Sequence, residues 1–72
     1  MNRLNPQKLL NSKWTALAPA DRQKHFVVVK VMFDDEGLVV EECVIEAVLT
    51  RQRRAIDWHE LEDAACWRFG WQ

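Results

Sequence analysis

Four side chains in this 72-residue chain could in principle make one four-ligand metal site: His25, Cys43, His59 and Cys66. A structural zinc site draws its donors from paired C-x-x-C and H-x-x-x-H spacings, in which one turn delivers two ligands. None of the four is paired in that way. His59 and Cys66 lie seven positions apart, about 10 Å along a helix axis, which exceeds the reach of a base on a nucleophile. The acidic pairs Asp34–Asp35 and Glu41–Glu42 fall in an expected turn and on an expected strand, where carboxylates are ordinarily solvated. Phosphate loops and dinucleotide fingerprints are absent from the sequence. The residues therefore predict a non-enzyme without catalytic residues, cofactor or metal.

A second grouping is cationic. Arg51, Arg53 and Arg54 form the elbow "RQRR", with Trp58 close behind. Arginines beside exposed aromatics suit nucleic acid, the cations holding phosphates and the rings stacking on bases. The plainer reading is a charged, aggregation-resistant sheet edge. Net charge is −1, but it is segmented. Residues 1–30 carry six cations against Asp21, residues 31–50 carry six carboxylates without a cation, and three arginines follow. Such blocks arise from charge pairing across strands or from a basic patch.

The elements that position these groups read as a small sheet followed by a helix. "HFVVVKVMF" (25–33) and "LVVEECVIEAVLT" (38–50) are rich in β-branched residues and flank "DDEG", the pattern of a hairpin. Gly37 suits the left-handed position of its turn. Placing Lys30 opposite Glu42, Val28 opposite Val44 and Val29 opposite Cys43 gives one charge pair and two apolar pairs in a single register. Shorter strands are expected at 13–17 and 53–56. "NPQKLL" suggests one helical turn, with Asn5 as cap and Pro6 at its first position.

A C-terminal α-helix is predicted over roughly 58–69, with Asp57 as its N-cap. Asp57 and Glu60 form a capping-box pattern, Ile56 and Leu61 occupy the staple positions, and Gly70 is placed to stop the helix. Trp71 would then fold back toward Ala65 or Cys66. The expected fold is one α+β domain over 1–72: a three- or four-stranded antiparallel meander, open to curling into a partial barrel, with that helix across it.

Two problems remain for this picture. Small chains need a staple, and the four tryptophans are the obvious one. Each buried aromatic removes about 150–250 Å² from water, an upper bound of about 4–6 kcal/mol. The hairpin is also apolar on both faces, whereas one helix covers one face. The second face must be covered by the segment with Leu9, Leu10 and Trp14, by curling, or by a partner, including a second copy of the chain. Trp14, Phe26 and Val44 are the partner-facing candidates.

"NSKWTA" (11–16), "KHFVV" (24–28), "VIEAVL" (44–49), "IDW" (56–58) and the W-x-x-G-W ending "WRFGW" (67–71) together resemble a small tryptophan-rich family of bacterial conserved hypothetical proteins. The resemblance spans nearly the whole chain. It implies a short, stand-alone cytoplasmic protein and assigns no catalytic or binding residue. The residues themselves agree with that compartment, since no leader is visible and the longest apolar stretch breaks at Lys30. Reduced thiols follow. The function expected is a protein-binding or adaptor module, with a nucleic-acid module built on Arg51, Arg53 and Arg54 as the alternative.

Overall fold

The computed structural model describes residues 3–20 and 23–72. Among the described residues five strands form where β-branched and aromatic residues concentrate: β1 (Lys13–Ala20), β2 (Gln23–Phe33), β3 (Val40–Ala47), β4 (Arg53–Ile56) and β5 (Trp67–Phe69). They make one antiparallel sheet in the order β4-β3-β2-β1-β5. The first four strands are a meander, and β5 returns to the free side of β1. Asn5 caps a 3-10 turn at Pro6–Lys8 by accepting a hydrogen bond from the Gln7 amide.

The expected C-terminal α-helix is absent, which corrects the α+β reading. In its place a 3-10 turn, Trp58–Glu62, leads into β5. The start signals themselves are present. The Asp57 carboxylate accepts from the His59 amide at 3.0 Å, and the Glu60 carboxylate accepts from the Asp57 amide at 3.3 Å. Gly70 takes the left-handed conformation, with φ at 83°. What overrides helix propensity is topology. β4 and β5 lie at opposite ends of the sheet, about 19 Å apart were it flat, and a helix rising about 1.5 Å per residue gains only about 15 Å in ten residues. The segment between the two strands has ten residues, so a tighter turn plus extended chain makes the crossing. The reward is a paired edge for β1, where Trp14, Thr15 and Ala16 pair with Phe69, Arg68 and Trp67.

The hairpin turn forms as expected around Gly37, at φ 71°, but its register differs. Phe26, Val28 and Val31 pair with Ala47, Ile45 and Cys43. Shifts between Val28 and Lys30 and between Met32 and Phe33 mark irregularities that move the inward phase along the ribbon. Core-side residues are therefore Phe26, Val28 and Val31, with Met32 turned out at 49% exposure. Strict alternation cannot describe such a strand. Lys30 and Glu42 still meet, at 2.8 Å, as diagonal neighbours, because Lys30 pairs with Val44.

One core cluster lies on one side of the sheet. Leu9, Trp14, Phe26, Val28, Cys43, Ile45, Ala47, Leu61 and Trp67 form it, with Leu4, Ala16, Val31, Val40, Ile56 and Trp58 packed against it. The second face over β1 and β2 is covered by the chain's own last residues. Thr15, 1% exposed, donates through its hydroxyl to the Gly70 carbonyl at 2.7 Å and accepts from the Gln72 amide at 3.0 Å. The Trp71 indole N–H donates to the Phe26 carbonyl at 3.0 Å, and Lys13 Nζ lies 5.2 Å from its ring. Leu9 and Trp14, expected as covers for this face, are in the main core instead. Among the described residues no helix is long and apolar enough to cross a membrane.

Candidate functional site

A concavity with both aromatic and charged walls arises from a taper in β1. Side chains on one face of a strand recur every second residue, so the face beginning at Trp14 continues with Ala16 and Ala18. An indole fills the space beneath the first position; two methyl groups leave it open beyond. The result is a cleft of about 320 Å³ between β1, β2 and the crossover to β5. Its floor is Phe26 and Trp67, each 7% exposed, with rings edge to face at 5.3 Å. Gln23, Arg54, Glu60 and Cys66 complete the lining.

The charges of this cleft are unequal. Arg54 pairs with Ile45 across β3 and β4, and its neighbour Arg53 pairs with Glu46. Side-chain alternation therefore turns Arg54 to the core side and Arg53 to the other. On that other face Glu46, 9% exposed, accepts from Arg53 Nε at 2.7 Å and lies 3.8 Å from Arg51 Nη1. One carboxylate thus holds two of the three elbow arginines. The Arg54 guanidinium makes no ion pair among the described residues. Glu60 likewise makes no ion pair among the described residues and accepts only from the Asp57 amide, so the cleft presents Arg54 as its one cation among the described residues, with a carboxylate on its wall.

The thiol of the cleft is unsuited to nucleophilic attack. Cys66 Sγ lies 3.4 Å from an Asp63 carboxylate oxygen. Its hydrogen bond to Asp63, reinforced by that group's charge, pushes the thiol up, so the attacking thiolate is depleted. Cys43 is buried, and desolvation with the charge of Asp57 raises its thiol too. His59 sits against Asp57 at 2.8 Å, exposed and stacked on Trp58. Hydrogen bonds from the His59 amide and ring hold the Asp57 carboxyl below its ordinary range. His25 lies elsewhere, beside Trp71 and the Gln72 carbonyl. Of the four residues first singled out, Cys43 and His59 line one shared cleft with Asp57 while His25 and Cys66 lie apart from it, and no group of three potential ligands forms among the described residues.

The partner-facing candidates do not share a surface. Trp14 is 0% exposed, the best shielded of the tryptophans, so its reading as an exposed anchor is overturned. It is locked between Phe69, edge to face at 5.2 Å, and the Ser12 hydroxyl, to which its indole donates at 2.9 Å. Phe26 is the cleft floor, and half-buried Val44 faces the opposite side. The accessible tryptophan is Trp71, at 48%. Arg54 was legible as a cation but not as a cleft residue, because its partners Ala16 and Ala18 carry no signal of their own.

The model of the family described as Tryptophan-rich protein (DUF2389) matches residues 12–72. The chain belongs to this family. The matched span contains all five strands and the residues that line the cleft. The family's function is unknown. No curated protein and no solved structure matches the chain.

Proposed function

We propose that this tryptophan-rich family member is a non-catalytic protein-binding module whose cleft takes a short segment carrying both apolar and acidic side chains. The observation behind it is the uncommitted Arg54 beside a floor of Phe26 and Trp67. An apolar pocket with one convergent cation suits an aliphatic or aromatic side chain next to a carboxylate. The raised Cys66 thiol favours binding over covalent chemistry at the same place. The elbow as a nucleic-acid contact receives less support, since Glu46 holds Arg51 and Arg53 on one face while Arg54 turns to the other.

Selection from a random peptide library displayed on phage tests the reading. Recovered sequences are expected to combine Asp or Glu with Leu, Val or Phe. They should shift the amide resonances of Ala16, Gln23 and Trp67, and bind Arg54→Glu about tenfold or more weakly, as loss of one anchor does in other interfaces. Peptides that bind Arg54→Glu equally well, or shift resonances elsewhere, would overturn it.

A further inference from the structure

The molecule carries at its other end a segment with the chemistry that this cleft would take. β2 and β3 pair as one ribbon in a body 38 Å in its longest dimension. Phe26 and Gln23, at one end of β2, line the cleft; Phe33 and Val40, at the other end, lead into the hairpin tip. Opposite ends of one ribbon cannot meet within a chain. They can meet between chains.

The tip is built to display what it carries. Asp34 accepts through its carboxylate from the amides of Leu38 at 2.8 Å and Val39 at 3.2 Å, and its own amide donates to the Val39 carbonyl at 2.9 Å. The Gly37 amide donates to the Asp34 carbonyl at 2.9 Å, with Gly37 left-handed at φ 71°. With the backbone closed on Asp34, Leu38 is left 72% and Val39 59% exposed. Asp35 and Glu36 stand exposed at the apex beside them. Two aliphatic side chains next to two free carboxylates, on a preformed turn, bind at little cost in ordering.

We infer that the hairpin tip of one chain docks in the Arg54 cleft of a second copy, so that the family member associates head to tail. The inference rests on the binding role proposed for the cleft. The charges are complementary: Asp35 and Glu36 approach Arg54, while Leu38 and Val39 approach Phe26 and Trp67. Glu60 on the cleft wall opposes this, so the acidic apex must enter on the Arg54 side, with Leu38 and Val39 toward the Phe26–Trp67 floor. A contact between two different patches is heterologous, so each added copy leaves a free tip and a free cleft. Association then lengthens a string, or closes into a ring where the rotation between copies brings the last tip to the first cleft, and salt weakens it by screening the charges.

Analytical ultracentrifugation of the full chain from micromolar to millimolar concentration tests this. The weight-average mass is expected to climb from 8.5 kDa with concentration, to a plateau if a ring closes and without one if the string stays open, and to fall in high salt. Arg54→Glu, which destroys the cleft's charge, and Leu38→Ser with Val39→Ser, which strips the tip, should each weaken association about tenfold or more. These side chains are exposed, so the variants should keep the native amide spectrum. Mixed in equal amounts, the two variants retain one good cleft and one good tip between them and should form a dimer that does not extend. A wild-type mass fixed at the monomer, or a closed dimer that survives either variant, overturns the inference. If the wild type is monomeric yet acidic–apolar peptides still bind through Arg54, self-association alone fails. If those peptides fail too, the binding role of the cleft falls with it.

Discussion

The β2–β3 hairpin and the stretch from Asp57 to Gln72 both carry strong local signals, yet only the hairpin takes the expected element. In the hairpin, local and distant preferences agree. β-Branched residues favour strands, Gly37 favours the turn, and the strands it joins pair with each other. In the C-terminal stretch they compete. Capping residues at Asp57 and Glu60 favour a helix and do close their box, but a free edge of β1 is in reach of the residues that follow. An isolated helix of about twelve residues is marginal in water, whereas pairing with β1 satisfies backbone groups and buries Trp67 and Leu61 at once. Helix caps specify where a helix starts, not how far it runs.

The largest way to break this comparison is at Trp14, which serves both regions: it pairs with Phe26 of the hairpin strand and packs on Phe69 of β5. Trp14→Ala should cost about 3–5 kcal/mol, a large share of the stability of so small a domain. Urea unfolding followed by circular dichroism measures it. Survival of a native midpoint would show that the two regions are held separately.

Thr15→Val sharpens the contrast at its next level. It leaves the hairpin untouched but removes the hydroxyl that bridges Gly70 and Gln72. The expected loss is about 1–3 kcal/mol, with acrylamide quenching rising at Trp71 and unchanged at Trp14. Equal quenching before and after would mean that the tail is held by other contacts.

Gly37→Ala probes the hairpin alone. A Cβ there meets nothing within 4 Å, so the cost is the left-handed backbone itself, about 1 kcal/mol. Stability should fall by that amount with the Thr15–Gly70 contacts intact by NMR.

The smallest effect is of acid on the hairpin tip. Amide hydrogen bonds from Leu38 and Val39 hold the Asp34 carboxyl below its ordinary value. A carboxylate with a depressed folded pKa adds stability that is fully present above its unfolded value, about 3.9, and lost as pH falls through the folded one. The protection of the Leu38 amide, its exchange rate relative to an unstructured amide at the same pH, should therefore fall only in acid, below the ordinary carboxylate range. Loss of protection near neutrality would contradict the assigned hydrogen bonds.

Much of the fold was legible because it was local. The strands at 13–17, 25–33 and 53–56, the Asn5 cap, the left-handed glycines and the ion pair of Lys30 with Glu42 all depend on neighbours in sequence or on one turn. The register was not legible, because the irregularity near Val29 breaks the period of two inside an unbroken run of valines. β5 was not, because its partner β1 lies more than fifty residues away. The cleft was half legible. Arg54 stood out by charge, but a cleft made by Ala16 and Ala18 exists only once β1, β4 and the crossover are placed together.

All of this depends on residues 67–69 being a strand against β1, since that pairing also brings Trp67 and Cys66 to the cleft. Backbone chemical shifts and cross-strand nuclear Overhauser effects of the labelled protein test it most directly. Extended shifts across Trp67–Phe69, with close contacts from Thr15 to Arg68 and from Trp14 to Phe69, are predicted. Helical shifts running unbroken from Trp58 through Phe69, with no contact to β1, would contradict it.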